Sequence, residues 1–250
     1  MSSLLLDNSA KTEHSEKSGT RNHIVVKLTD ISKTYGFTFA LKKVNLQISE
    51  GEVIGFLGDN GAGKSTLIKI ISLLVKPTSG KVELFESEVS ENRHLLKKEL
   101  GALLSHSFFY DDMTGRENLE FYLRMLAKAG SPEEIVERAS KQYKLHLYLD
   151  RPVHELSTGM AKKLEILRVI LPTPPRLLLL DEPFAGLDVE NRKFLDNLII
   201  DKLPKTTVII ASHDFRAVSQ LCDRVFYLEK GRIQRILDPS EYDFFLSKAN

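Results

Sequence analysis

The sequence predicts an α/β fold in which a mainly parallel sheet is preceded by an N-terminal antiparallel β subdomain and interrupted by an inserted α-helical subdomain. Three patterns predict it. Leu177-Leu178-Leu179-Leu180 and Thr207-Val208-Ile209-Ile210-Ala211 are short, continuous apolar runs, as in strands buried on both faces of a parallel sheet. Between Ile24 and Ile48 apolar and polar residues alternate, the mark of strands with one face on a core. From Arg116 to Ala129 and from Pro132 to Tyr143 the apolar residues recur at helical spacing among charged ones, which puts a helical insert at about residues 107–163.

Taken in chain order, residues 1–22 are rich in Ser, Lys and Glu, with Leu4-Leu5-Leu6 as their apolar patch. That composition predicts a disordered tail, and the patch is too short for a signal-peptide core. The folded domain is expected over residues 23–250. Ile24–Leu28, Tyr35–Leu41 and Val44–Ile48 read as three antiparallel strands, closed by the turn Ser49-Glu50-Gly51-Glu52. Val53–Leu57 reads as the next strand. Lys81–Phe85 is another, following the break at Pro77-Thr78-Ser79-Gly80.

Between the Val53–Leu57 run and the helix-like Leu67-Ile68-Lys69-Ile70-Ile71 lies Gly58-Asp59-Asn60-Gly61-Ala62-Gly63-Lys64-Ser65-Thr66. It fits G-x-x-x-x-G-K-[ST] in the strand–loop–helix setting that the pattern requires, so a P-loop NTPase core is expected. Its glycines let backbone N–H groups turn inward around phosphate oxygens, and the helix N-terminus adds the positive end of its dipole. Lys64 is the expected contact to the β- and γ-phosphates, and the Ser65 hydroxyl an expected Mg²⁺ ligand. The apolar runs at Leu177 and Thr207 end in Asp181-Glu182 and Ser212-His213-Asp214. In an open parallel sheet ligand chemistry gathers beyond the carboxyl ends of the strands. Asp181 is then the expected metal carboxylate, Glu182 the group that polarises an attacking water, and His213 a hydrogen-bond donor that senses the γ-phosphate.

Composition narrows the classes. A chain of 250 residues with 42% hydrophobic content can bury one large core, or a core and a smaller subdomain. A formal net charge of +1 gives no overall electrostatic basis for polynucleotide binding, and no nucleic-acid partner is expected. The one cysteine, Cys222, has no companion for a disulfide or metal site and reads as a small buried apolar residue. No apolar run approaches the ~20 residues that span a bilayer, so the chain is not expected to cross a membrane itself.

In their order along the chain, these motifs resemble those of the nucleotide-binding subunits of ABC transporters, from Ile24 to about Leu237. Tyr35 in Thr34-Tyr35-Gly36 matches the aromatic residue that stacks on adenine, and Gly58 to Thr66 the Walker A motif. Leu156-Ser157-Thr158-Gly159-Met160 looks like the signature motif, Leu177 to Glu182 the Walker B motif with its catalytic glutamate. Ala185-Gly186-Leu187-Asp188 is similar to the D-loop, and His213 to the switch histidine. The resemblance implies a head-to-tail dimer with each ATP, bound with Mg²⁺, between the Walker A of one subunit and the signature of the other. Ser157 and the Gly159 N–H would meet the nucleotide of the opposite subunit. The implied partners are a transmembrane permease subunit and a second nucleotide-binding subunit, identical or not. The implied place is the cytoplasm, peripheral on the cytoplasmic face of the cell membrane.

Two departures stand out. The family commonly has Leu-Ser-Gly-Gly-Gln in the signature, and this chain has Thr158 and Met160 at the third and fifth positions. Such variants resemble exporter-type subunits, the ABC-2 and haem-exporter-like groups. Where the family has a Q-loop glutamine, Gly101-Ala102-Leu103-Leu104-Ser105-His106-Ser107 has none, and His106 or Ser105 takes its place. An imidazole there would make hydrolysis sensitive to pH between about 6 and 7. Beyond it, Phe108-Phe109-Tyr110 opens the insert where the resemblance implies docking of the membrane subunit. The alternatives to a transport ATPase are a soluble ABC ATPase without a membrane partner, or a weakly hydrolysing regulatory subunit of a heterodimer.

Overall fold

Ile24–Tyr35 (β1) and Thr38–Ser49 (β2) form one long antiparallel hairpin that turns at Gly36-Phe37. The computed structural model describes residues 23–105, 107–126, 130–171, 173–203 and 205–242. The tail expected at residues 1–22 lies outside them. The three strands expected between Ile24 and Ile48 are thus two. The pairing shifts register between Leu28 and Ile31 and again between Ile31 and Lys33, and Asp30 and Lys43 sit at φ 51° and 49°. Each bulge resets the period-two alternation, so a continuous strand reads in the sequence as separate pieces.

Val53–Leu57 (β3) follows, then the helix Lys64–Ile71 (α1), the strands Ser79–Leu84 (β4) and Ser87–Glu88 (β5), the helix Val89–Leu96 (α2) and Leu100–Leu103 (β6). Next come Gly115–Met125 (α3), Pro132–Gln142 (α4) and Thr158–Ile170 (α5). The chain returns through Leu177–Asp181 (β7), Val189–Asn197 (α6), Thr207–Ser212 (β8), Phe215–Ser219 (α7), Arg224–Glu229 (β9) and Arg232–Leu237 (β10). One sheet has the order β2-β1-β4-β5, and a six-stranded sheet the order β10-β9-β3-β8-β7-β6. The pairs β9–β3, β3–β8, β8–β7 and β7–β6 are parallel, and β10 closes one edge antiparallel to β9.

The expected helices begin where their caps put them. Thr114 and Glu117 form a capping box at the start of α3, and the Ser131 side chain caps α4 with Pro132 just inside it. Both faces of the central sheet are covered, as the unbroken apolar runs require. Leu178, Leu180, Val208 and Ile210 pack with the insert helices, while Leu177, Leu179, Ile209 and Ala211 pack with α1 and the hairpin. Cys222 is buried at 5% exposure, and burial pushes its thiol well above the ordinary range.

Phe108-Phe109-Tyr110 divides. Phe108 and Tyr110 are 53% and 56% exposed, whereas Phe109 is buried with Leu119, Leu123 and Leu149. The middle ring of the triplet is thus a core residue, while its two neighbours stay at the surface. Phe109→Ala is expected to destabilise the chain by about 3 kcal/mol. The measurement is the denaturant midpoint at unchanged slope; a cost within 0.5 kcal/mol, as at a surface site, would contradict this placement.

Candidate active site

The parallel register decides which residues meet. Leu57 at the end of β3 pairs with Ser212 at the end of β8, and Asp181 at the end of β7 pairs with Ala211. The loops carrying Gly58, Glu182 and His213 therefore leave one edge of one sheet. The P-loop is pressed against its neighbours. A Cβ on Gly58 would fall 2.3 Å from the Leu228 carbonyl oxygen, and one on Gly63 would fall 2.7 Å from that of Ala40. Gly63 also sits at φ 110° as the N-cap of α1, with no side chain over the helix end. The first N–H groups of α1 are left open to an anion. Asp59, Asn60 and Gly61 are exposed at the loop tip, Ala62 is buried, and Thr66 is half-buried on α1.

Lys64 is 5% exposed, and its Nζ donates to the Gly58 carbonyl at 2.6 Å and to the Asp59 carbonyl at 3.2 Å. The same nitrogen lies 3.7 Å from Glu182 Oε1. Glu182 Oε2 is 3.1 Å from His213 Nδ1 and accepts from Ser212 Oγ at 3.3 Å. Glu182 holds φ 49°, a conformation rare for a non-glycine residue and one that turns its side chain out of the strand direction. Of the three expected catalytic residues, Glu182 thus touches both Lys64 and His213. Ser212 joins them unforeseen; its position next to His213 was the available signal.

Ser65 Oγ donates to Asp181 Oδ1 at 3.0 Å. Asp181 is fully buried, and its Oδ2 has no hydrogen-bond partner among the described residues. Burial raises the Asp181 carboxyl above the usual range, the Ser65 hydrogen bond opposes the rise and the Glu182 charge adds to it. A buried, unpartnered carboxylate oxygen beside a serine hydroxyl suits a hard cation with oxygen ligands. Among the described residues no cluster of three or more His, Cys, Asp or Glu could hold a metal. Mg²⁺ commonly needs only one or two protein carboxylates plus substrate phosphates, so the pair Ser65 and Asp181 fits it.

Tyr35 is half-exposed at the end of β1, with Lys33 Nζ 5.0 Å from its ring centroid. Its hairpin partner β2 carries Ala40 against Gly63. Ser157, Gly159 and Asp188 form a second group. The Ser157 hydroxyl caps α5 by accepting from the Met160 N–H, and Asp188 caps α6 by accepting from the Asn191 N–H at 2.8 Å. Among the described residues no hydrogen bond joins these three to Gly58–Thr66. Ser105 is exposed, and His106 lies outside the described residues. Phe108, Tyr110, Phe121, Tyr122, Met125 and Arg168 line a groove of about 440 Å³ on the insert side.

The raised Asp181 carboxyl predicts a pH dependence. A folded-state value above the unfolded one means that the folded chain holds the proton more tightly. That contribution is complete below the ordinary aspartate value of about 4 and is lost as pH rises through the folded value. Without added Mg²⁺ or nucleotide, Asp181→Asn, which cannot ionise, should gain in melting temperature relative to the parent as pH rises from about 4 through the folded value. A difference that stays constant across that range would refute it.

Residues 41–185 match the protein family described as ABC transporter. The bacitracin transport ATP-binding protein BcrA of Enterococcus faecalis is 34% identical over 221 residues, covering 87% of this chain and 70% of the relative. BcrA of Bacillus licheniformis is 33% identical over 213 residues, covering 84% and 68%. Among solved structures, a dimeric bacterial ABC transporter cassette aligns at TM-score 0.75 and 26% identity, covering 86% of this chain and 98% of its own. A post-hydrolysis dimer of that cassette, bound to ADP and Pi, aligns at TM-score 0.75 and 28% identity over the same shares. The matched residues, the fold and the order of motifs together make this chain a member of the ABC transporter family, of its ATP-binding type.

Proposed function

We propose that this chain binds ATP with Mg²⁺ and hydrolyses it as one half of a head-to-tail dimer, driving export through a separate transmembrane subunit. The observation that carries the reading is the buried Asp181, whose Oδ2 is unpartnered beside Ser65 at the start of α1. These two residues would hold Mg²⁺, which when bound neutralises charge on the nucleotide phosphates.

The chain's own groups have distinct tasks in this reading. The backbone N–H groups from Gly58 to Thr66 surround the phosphates, and Lys64 exchanges its two carbonyl partners for phosphate oxygens. Glu182 orients and polarises the attacking water, the role for which its two oxygens need to leave Lys64, Ser212 and His213. His213 reaches the γ-phosphate through Nε2, since Nδ1 is turned to Glu182. Tyr35 stacks on the adenine. The contacts of Glu182 with Lys64 and with His213 favour an active ATPase over a weakly hydrolysing regulatory subunit.

The second half of the site comes from a partner subunit, identical or not. Capping occupies a lone pair of the Ser157 hydroxyl and leaves its O–H free to donate to a phosphate. With the Gly159 N–H and Asp188 it would complete the partner's site, as theirs completes this one. No helix among the described residues is long and apolar enough to cross a membrane. We place the chain in the cytoplasm, peripheral on the cytoplasmic membrane face, with the insert at about residues 107–163 towards the permease. Its aromatic groove is the docking site, with Phe108 and Tyr110 as exposed rings. The export direction follows Thr158 and Met160 of the signature, a variant that resembles exporter-type subunits.

Glu182→Gln should lower hydrolysis about a thousandfold while keeping ATP binding, and light scattering should give a dimer mass at saturating ATP. A monomer mass there would overturn the shared-site reading. Replacing Phe108 and Tyr110 together by Ala should cut co-purification of the transmembrane subunit at least about tenfold, with ATP binding and melting temperature unchanged. Undiminished co-purification would remove the groove from the docking role.

A further inference from the structure

Two elements meant for the partner's nucleotide lean on each other within one chain. A Cβ on Gly159 would lie 2.1 Å from Asn191 Nδ2 and 2.7 Å from Asn191 Cγ, so the first turn of α5 is in close contact with the Asn191 side chain. Asn191 is fixed from the other side. Its backbone N–H donates to Asp188 Oδ1 at 2.8 Å, and its Nδ2 donates to Asp188 Oδ2 at 3.0 Å. Five residues before Asn191, a Cβ on Gly186 would lie 3.4 Å from the Thr158 methyl. Two contacts therefore join Thr158-Gly159 to the segment Gly186–Asn191. The next residue, Arg192, points the other way: its guanidinium is 5.2 Å from the Phe184 ring and Nη1 is 3.8 Å from Asp214 Oδ2, one residue beyond His213.

We infer that Asn191 is a positioning residue that locks the signature turn to the D-loop, so that the two meet the partner's nucleotide as one rigid surface. The inference rests on the head-to-tail dimer proposed above. Packed groups with a fixed mutual geometry lose less freedom on association than groups ordered separately, so the lock lowers the ATP concentration at which two chains close. Arg192, one residue along the same turn, extends the contact to Asp214 in the chain's own site. A shift of the signature against the partner's nucleotide is thereby carried to the segment of His213.

Asn191 can be changed without removing the helix cap, because the bond from its backbone N–H to Asp188 survives any side chain. In the full chain carrying Glu182→Gln, Asn191→Ala should raise the ATP concentration for half-maximal dimerisation about tenfold, within the usual range of coupling between sites. Binding of a fluorescent ATP analogue to the monomer, and the melting temperature, should stay unchanged. In the otherwise unaltered chain the Hill coefficient of ATP hydrolysis should fall towards one. Asn191→Asp keeps the shape against Gly159 but turns the donor into a carboxylate facing Asp188, so it should behave like Asn191→Ala. If it behaves instead like the parent, Asn191 only fills space and the inference is wrong; so too if Asn191→Ala leaves the dimerisation midpoint where it was. If Glu182→Gln alone never dimerises, the shared-site reading fails first and takes this inference with it.

Discussion

The register of β7 and β8 against β3 is the constraint on which the site depends. Side chains on a strand alternate faces, and Leu177 and Leu179 face α1 while Leu178 and Leu180 face the insert. Asp181 continues the first series and so arrives on the α1 face, where Ser65 begins the helix and donates to it. A slip of one residue would bury Asp181 among the apolar groups of the insert side and leave Ser65 facing leucine. The uniform apolar run makes both faces coverable, and the cross-strand pairs Leu57 with Ser212 and Asp181 with Ala211 bring the ends level. Packing of leucines thus sets the position of a carboxylate that none of them touches chemically.

The position comes with an electrostatic cost. Lys64 and Asp181 are both nearly or wholly out of solvent, and a buried charge is tolerable only with partners. Lys64 has the carbonyls of Gly58 and Asp59 and the more distant Glu182. Asp181 has one serine hydroxyl and an oxygen that no group among the described residues satisfies. A ligand with phosphate oxygens and a divalent cation answers both needs at once. The site is therefore arranged so that binding relieves what folding leaves unbalanced, which links occupancy to stability.

How much of this was legible depended on whether the decisive contact was local. Val53–Leu57 was readable to the residue, because a strand covered on both faces carries no phase to lose. The β1–β2 hairpin was not: its bulges near Asp30 broke the alternation into fragments. The P-loop and the residues after β7 and β8 were readable as motifs, and the fold sets Glu182 against both Lys64 and His213. The inward turn of Phe109 between two exposed rings was hidden, since three adjacent aromatics look alike in a string. The Ser212 contact to Glu182 and that of Asn191 to Gly159 each join elements about thirty residues apart. Neither leaves a local pattern.

The departures in the signature motif follow the same geography. Ser157, which keeps the family's residue, is exposed and has its O–H to offer. Met160, at the fifth position, packs its flexible side chain against the core of the insert. Thr158, at the third, brings a methyl to Gly186. Both changes sit where the chain packs on itself. A threonine in place of glycine at the first position of α5 also narrows the backbone freedom of the turn that the unfolded chain must give up. The variant signature thus trades conformational latitude for a stiffer junction with the D-loop, while the exposed Ser157 keeps the family's residue.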